Sequence, residues 1–232
     1  TNDASSTGIG SIDSSGSVNT DAGFSIISYT GTGSNGTVAH GLGVAPKMII
    51  TKVRSASGNN WSMYHSSLGA GNVIWLNLTD VSSSDSGFWN NTTPTSSVFS
   101  IGTQGDTNRS SETIIAYCFA EKQGYSKIGS YVGNGNADGT FTFTGFKPAF
   151  VIVKRTDGAD QWNISDNKRN GFNPQTPPLY ADSSEAENAS FYPFDFLSNG
   201  FKARSSSSSI NTSGGTYIYM AFAENPFVTS TG

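Results

Sequence analysis

The chain has 232 residues, a formal net charge of −4 and a pI near 5.0, and only 13% of its residues are charged. This length is sufficient for one or two domains with their own cores. No basic cluster is present to bind nucleic acid, and no apolar run is long enough to span a membrane, so we expect neither partner. An aromatic content of 12% argues against a disordered chain.

The first 22 residues are small and polar and show no hydrophobic periodicity. They predict an extended N-terminal arm or linker, 1–22, that contributes nothing to a core. If ordered, such an arm would be held by a neighbouring subunit or by the rest of a longer chain.

Short segments that alternate apolar and polar residues follow the arm, separated by clusters of Gly, Ser and Asn. This pattern is typical of β-strands. The predicted strands are 24–30, 37–40, 47–54, 61–64, 73–78, 98–101 and 113–120. The intervening segment 81–94 predicts a loop anchored by Phe88 and Trp89.

The last of these strands lies in a stretch that occurs twice, as 113–125 and as 216–227, and both copies contain Phe-Ala-Glu. Both strands are apolar or small on both faces. Such a strand is expected in the middle of a sheet that is covered on both sides.

Other motifs recur in the same order, with offsets of 101 to 103 residues between the copies. The recurring pairs include Tyr29 and Tyr131, Pro46 and Pro148, Trp61 and Trp162, Leu76 and Leu179, Phe99 and Phe201, and Phe119 and Phe222. An internal repeat of this length predicts two homologous units, 23–123 and 124–232. We therefore predict an all-β fold of two tandem β-sandwich, jelly-roll-like units, with further strands at 125–131, 140–144, 150–155, 162–165, 179–181, 201–204 and 216–223.

The repeat also weakens the strongest catalytic candidates. Glu121 and Glu224 occupy one position in two copies, whereas an acid–base pair needs two different environments. We interpret them as strand-end residues and consider a structural partnership with Lys52 and Lys154, which also recur. No catalytic residue is predicted, and we expect the protein not to be an enzyme.

No metal or cofactor site is predicted either. His40 and His65 have no potential ligand at metal-binding spacing and are expected at the surface or in turns. The segment 134–139 resembles the first half of a calcium loop but lacks the required Glu at position 12, so a turn is the better interpretation. The only cysteine, Cys118, is expected to be buried and inert.

Five aromatic residues have no clear counterpart in the other copy, and such unit-specific side chains are candidates for ligand or partner contacts, although buried anchors are the alternative. They are Trp75, Trp89, Tyr64, Tyr180 and Tyr192.

Several motifs together resemble an uncharacterised duplicated β-rich domain of virion proteins from tailed phages, especially marine ones, often in tail or fibre-like proteins. They include Gly-Phe-Ser-Ile-Ile-Ser-Tyr-Thr-Gly-Thr-Gly, His-Gly-Leu-Gly-Val-Ala-Pro-Lys and Tyr-Ile-Tyr-Met-Ala-Phe-Ala-Glu. The resemblance extends from about residue 22 to residue 227. It implies a location on the virion surface or outside the cell, and it supplies no catalytic residues.

The expected function is therefore that of a non-enzymatic phage structural protein, a tail appendage or fibre-like module. It would take part in host-surface adsorption or subunit assembly as a homo-oligomer, with other virion subunits and a host glycan or protein as partners. The alternatives are an extracellular carbohydrate-binding module and a capsid decoration or self-assembling filament protein. A polysaccharide-degrading enzyme is the weakest option, because its candidate carboxylates are scattered over loops.

Overall fold

In the computed structural model the described residues are 1–175, 177–187 and 190–226, and they form two compact units. Unit 1 comprises Thr1–Leu76 and Ser82–Glu121, and unit 2 comprises Asn77–Val81 and the chain from Lys122 onward. The all-β class is confirmed, since 39% of the residues are in strands and 7% in helices. The predicted second unit ends at 232, and its last six residues, including Phe227, lie outside the described part.

Unit 1 contains a seven-stranded sheet in the order β1-β2-β9-β4-β5-β6-β7 and a separate β3-β8 pair, all antiparallel. Its strands are β1 (Ser14–Asn19), β2 (Phe24–Thr30), β3 (Gly36–Ala39), β4 (Met48–Val53), β5 (Ser62–His65), β6 (Asn72–Trp75), β7 (Ser83–Ser84), β8 (Val98–Ile101) and β9 (Thr113–Phe119). Three four-residue helices connect them, at α1 (Ala4–Thr7), α2 (Ser86–Trp89) and α3 (Gly105–Asn108).

Unit 2 contains a four-stranded sheet in the order β10-β16-β12-β13 and a three-stranded sheet in the order β11-β15-β14, again antiparallel. Its strands are β10 (Ser126–Val132), β11 (Phe141–Phe143), β12 (Pro148–Arg155), β13 (Asn163–Asp166), β14 (Phe194–Leu197), β15 (Gly200–Ala203) and β16 (Thr216–Ala223). One short helix, α4 (Ser208–Asn211), precedes β16. Leu179 forms only an isolated bridge to Ile164, so the predicted strand 179–181 is not formed.

The two repeated strands lie in the sheet interiors, as predicted. β9 runs between β2 and β4, and β16 runs between β10 and β12. Ile114, Ala116 and Cys118 of β9 are fully buried, which confirms the expected burial of the thiol. Their alternation with partly exposed neighbours is the period of a pleated strand.

In each unit, side chains from both sheets share one buried cluster. In unit 1, Ile49 and Ala116 of the large sheet pack in one cluster with Phe99 of the small one. In unit 2, Val151 and Tyr219 share a cluster with Phe201. Burial of these apolar surfaces provides the main stabilising free energy of each unit.

The N-terminal segment differs from the predicted arm, because residues 14–19 form β1 and pair along their whole length with β2. Ile12 is 7% exposed and belongs to the unit 1 core. The segment showed no periodicity because β1 is held by backbone hydrogen bonds, which need no apolar side chains.

The histidine prediction was wrong, since His40 and His65 are 0% and 1% exposed. The imidazole of His40 contacts the Thr95 carbonyl through Nε2 (3.1 Å), and its Nδ1 accepts the Leu42 N–H. Burial lowers the pKa of His40, against the opposing effect of the Thr95 carbonyl, so burial favours the neutral ring.

Candidate ligand-binding site

Unit 2 carries an open pocket of about 600 Å³ that is lined mainly by polar side chains. Three loops meet there: the one after β12, the one that carries Tyr180, and the serine run before α4. Side chains that could contact a ligand include Thr79, Asp160, Gln161, Tyr180, Phe191 and Ser207.

The carboxylate of Asp160 is held in place from two sides. Its Oδ2 accepts a hydrogen bond from the Arg155 guanidinium at 3.2 Å, and its Oδ1 accepts one from the Ser208 hydroxyl at 2.9 Å. Arg155 also pairs with Asp157 at 2.8 Å. The pocket therefore presents a carboxylate that is oriented by an ion pair and a hydroxyl, and Arg155 shares its charge between two aspartates.

The pocket lining also includes one amide and one phenol. Gln161 Nε2 donates to Glu185 Oε2 at 3.1 Å, which leaves the amide oxygen of Gln161 as an acceptor. Burial, followed by the charges of Glu185 and Asp182, raises the pKa of Tyr180, so its phenol stays protonated at neutral pH. Within the described ranges the Tyr180 hydroxyl makes no hydrogen bond, which leaves it free to bind a ligand.

Close to the pocket, a lysine lies completely inside the unit. Lys154 in β12 is 0% exposed, and its Nζ donates to the carbonyls of Thr79 (3.1 Å) and Arg155 (2.9 Å). Asp160 N–H donates to the same Thr79 carbonyl at 3.1 Å. Burial lowers the pKa of Lys154 to about 8, against the opposing attraction of Asp182, Asp160 and Asp80. These contacts anchor the 77–81 segment that forms one wall of the pocket.

Asp182 is the least satisfied acid near the pocket. Its Oδ1 accepts the Trp162 N–H at 3.1 Å, while its buried Oδ2 has no hydrogen-bond partner among the described residues. Burial raises the pKa of Asp182 above its ordinary value. Asp182, whose pKa is raised, and Asp160, which pairs with Arg155, thus lie in the same region of unit 2.

Residues 1–226 match a family model described as a domain of unknown function, DUF7483. The chain belongs to the DUF7483 family. No curated protein and no solved structure matches it. The family description assigns no activity.

The structure separates the five predicted contact residues into two groups. Tyr64 and Trp89 are 2% and 1% exposed and pack edge to face in the unit 1 core, so neither is available to a ligand in this structure. Trp75 is partly buried against Phe88. Tyr180 lines the pocket, and Tyr192 is exposed but is not among the pocket-lining residues.

The structural partnership suggested for the recurring lysines and glutamates is wrong for unit 2. Glu224 pairs with Lys147 at 2.8 Å and accepts from Asn167 at 2.7 Å, while Lys154 contacts backbone carbonyls further along the sheet. In unit 1, the Lys52 ammonium donates to the Asn59 carbonyl and lies 6.0 Å from the centre of the Trp61 ring. The interpretation of Glu224 as a strand-end residue paired with a lysine is confirmed.

The calcium-like segment 134–139 forms a turn. Its Asp138 pairs with Lys202 (2.6 Å) and Arg204 (3.1 Å), so this carboxylate is already engaged by two cationic side chains. In the part of the chain that the structure describes, no three His, Cys, Asp or Glu side chains cluster as metal ligands. None of the described helices is long and apolar enough to cross a membrane.

Sequence reasoning missed most of the pocket and one exposed aromatic face. Asp160 and Gln161 are neighbours on one loop and Ser207 lies on another, and no spacing connects the two loops. Phe141 and Phe143 of β11 are 43% and 62% exposed. The Phe-Thr-Phe alternation places both rings on one face, but the sequence does not show whether that face is covered.

Proposed function

We propose that the chain is a non-enzymatic structural protein of a phage particle, a tail appendage or fibre-like module, and that unit 2 binds a host-surface saccharide in its polar pocket. The motif resemblance supports the virion role. The observation that carries the binding role is the pocket itself, in which Tyr180 stands beside oriented amide, hydroxyl and carboxylate groups.

The chemistry of the pocket fits a sugar. Tyr180 and Phe191 offer aromatic surface for the apolar face of a pyranose ring, and Gln161, Asp160 and Ser207 offer donors and acceptors for its hydroxyls. Arg155 and Ser208 hold the carboxylate of Asp160 in place, so that it can accept hydrogen bonds from sugar hydroxyls.

We also propose that the two units arose by duplication of one two-sheet, jelly-roll-like domain. The orders β2-β9-β4-β5 and β10-β16-β12-β13 correspond strand by strand. The same hydrogen bond recurs in each unit: the Tyr29 hydroxyl donates to the Thr107 carbonyl (2.7 Å), and the Tyr131 hydroxyl donates to the Ile210 carbonyl (2.6 Å). These equivalences support a common ancestor for the two units.

Glycan-array binding and retention on immobilised polysaccharides test the saccharide role. Tyr180→Ala should weaken binding at least about tenfold, as expected for loss of an aromatic anchor. Tyr192→Ala is the matched control, because it removes a tyrosine that does not line the pocket, and it should bind like the wild type. Binding that survives Tyr180→Ala, or no binding to any glycan, would contradict the proposal.

The virion role has its own test. Proteomic analysis of purified particles from a phage that encodes the chain, with antibody labelling in electron micrographs, should locate it at the tail. Labelling of the capsid lattice would favour the decoration alternative. Absence from particles, together with retained glycan binding, would favour an extracellular carbohydrate-binding module.

One observation favours a hydrolase as the second candidate. Asp182 has a raised pKa while Asp160 is paired with Arg155, and this is the kind of asymmetry that an acid and a base need. Release of reducing ends from a bound polysaccharide, lost in Asp182→Asn, would establish this activity. We expect none, because the backbone N–H of Trp162 already holds Asp182.

A further inference from the structure

The chain contains four Asn-Gly pairs, which begin at Asn35, Asn134, Asn170 and Asn199. In such a pair the glycine nitrogen can attack the side-chain amide of the asparagine, because glycine has no Cβ to hinder the approach. The reaction requires the peptide between the two residues to rotate and the glycine N–H to be free of a hydrogen bond. The structure therefore decides which of the four pairs can react in the folded protein.

Two of the pairs are held by backbone hydrogen bonds. The Gly135 N–H donates to the Asn211 carbonyl at 2.9 Å. Gly36 is the first residue of β3 and lies in the β3–β8 ladder, where the His40 N–H donates to the Ser97 carbonyl at 3.2 Å. Alternate N–H groups of an antiparallel strand point to the same neighbour, so the Gly36 N–H also faces β8. Neither glycine nitrogen is available for attack.

The pair at Asn199 is fixed at both ends of its peptide. Asn199 lies in the two-residue turn between β14 and β15, and Gly200 lies opposite Leu197 and closes this hairpin. The Asn199 carbonyl accepts the N–H groups of Thr144 (3.0 Å) and Gly145 (3.2 Å). This peptide cannot rotate unless the edge of the three-stranded sheet opens.

The fourth pair lies in the loop after β13 and is not held in this way. Gly171 is exposed, and no group in the described part of the chain bonds to its N–H or to the Asn170 carbonyl. The Asn170 side chain makes one hydrogen bond, from Nδ2 to the Pro174 carbonyl at 3.3 Å. A Cβ placed on Gly171 would have its nearest neighbour, the Asn167 carbonyl oxygen, at 3.9 Å, so the peptide has room to rotate.

We propose that Asn170 is a site of spontaneous deamidation in the folded protein and reacts faster than the other three asparagines. The Gly171 nitrogen loses its proton and forms a bond to Cγ of Asn170, and the side-chain nitrogen leaves with the proton as ammonia. The product is a cyclic succinimide. Water then opens the ring at either of its two carbonyls, which leaves aspartate or isoaspartate at position 170.

The chain supplies its own comparison for this proposal. Residues 170–172 and 199–201 have the same sequence, Asn-Gly-Phe. The glycine and the residue after it therefore affect both asparagines alike. A hydrogen-bonded peptide reacts only after local opening, whereas an exposed loop peptide needs no such step. A difference in rate between Asn170 and Asn199 in the folded protein thus reports on the structure around them.

Deamidation would change the charge of this loop. Arg169, the preceding residue, pairs with Asp166 (2.6 Å) and Glu187 (2.6 Å). A carboxylate at position 170 adds a third negative charge to a segment in which this one guanidinium already serves two. The modified chain is therefore more acidic than the original. The inference depends neither on the saccharide pocket nor on a location in the virion.

Incubation of the full chain in mildly alkaline buffer tests the proposal, with tandem mass spectrometry of its peptides to assign each deamidated residue by its gain of one mass unit. In the folded protein Asn170 should react at least about tenfold faster than Asn199, because local opening has to precede reaction at Asn199. In urea, where both peptides are free, the two asparagines should react at similar rates.

Asn170→Gln is the control variant. It keeps the amide but moves it one carbon further from the Gly171 nitrogen, so cyclisation is slower. The variant should unfold at the same urea concentration as the wild type and should lose the fast phase of ammonia release.

Equal rates at Asn170 and Asn199 in the folded protein would overturn the proposal. So would an Asn170 that stays intact in the folded protein and reacts only in urea. Ammonia release that continues at the wild-type rate in Asn170→Gln would place the reaction elsewhere and would also refute it. None of these outcomes bears on glycan binding, which is measured separately.

Discussion

The buried ammonium of Lys154 makes the stability of unit 2 depend on pH in an unusual direction. Its pKa falls from 10.5 to about 8 in the folded protein. Between these two values the unfolded chain holds the lysine proton and the folded chain has released it. Since stability rises with pH wherever the unfolded state binds more protons, unit 2 should become more stable as the pH rises from about 8 towards 10.

The magnitude follows from the two pKa values. At ~1.4 kcal/mol per pH unit, the whole difference corresponds to about 3 kcal/mol. Between pH 7 and 9.5 the Lys154 contribution to the free energy of unfolding should increase by about 2 kcal/mol. At pH 7 nearly all of the destabilisation from burying the charge is present.

The assay is urea denaturation of the wild type and of Lys154→Met at a series of pH values, followed by fluorescence. Trp162 is the tryptophan of unit 2, and Trp61, Trp75 and Trp89 report on unit 1. The difference between wild type and variant removes the contribution of the other titrating groups. Lys154→Arg is a second comparison, because its guanidinium remains charged over the whole range and should show no gain.

Parallel pH profiles for the wild type and Lys154→Met would refute the reasoning. They would mean that the amine stays protonated at high pH, and therefore that water or the neighbouring carboxylates solvate it more fully than its contacts indicate.

Two further predictions concern groups that are buried in the core. Cys118 is 0% exposed, and burial raises the pKa of its thiol to about 12. A thiol reagent at pH 8 should therefore label Cys118 only after unfolding. Rapid labelling of the native protein would contradict this prediction. Asn108 and Asn211 are both 0% exposed. The Asn108 amide donates to the Ser34 carbonyl (2.7 Å), and the Asn211 amide donates to the Asn136 carbonyl (2.8 Å). Changing either asparagine to Ala should lower the free energy of unfolding of its own unit by about 2–4 kcal/mol. The measurement is chemical denaturation of each variant, and clearly unequal losses would argue that the two amides are not equivalent.

Most strand positions could be predicted from the alternation of hydrophobic side chains, although β14 was not predicted and the predicted strand 179–181 is not formed. The strands at 113–120 and 216–223 were predicted within a residue or two, and their central place in each sheet followed from apolar residues on both faces. Gly33 and Gly135 occupy equivalent places in the two copies, and both adopt φ +72°, a conformation that favours glycine.

The elements that sequence reasoning missed are those held by backbone groups or by distant partners. β1 has one exposed valine and otherwise small polar residues, so its pairing with β2 gives no side-chain signal. His40 is buried because two backbone groups satisfy its ring, and a lone histidine in a sequence does not show this.

The residues of the candidate site likewise divide into those that the sequence indicated and those whose position depends on contacts with other residues. Tyr180 was found because it has no counterpart in the other copy. Asp160 was only one of several candidate carboxylates scattered over loops, and Gln161 was not identified, because their orientation depends on contacts with Arg155 and Glu185. Lys154 was considered as a partner of Glu224, and the structure instead places the Thr79 carbonyl against its amine.

The amino-acid sequence by itself determined the all-β class, the order of the main strands and the burial of Cys118, because these depend on the local alternation of apolar and polar residues. Only the tertiary structure decided which polar groups meet in the unit 2 pocket, which charge is buried at Lys154 and which strand is left at the sheet edge. Those properties arise from contacts between residues far apart in the chain, and no local pattern encodes the energy of such contacts.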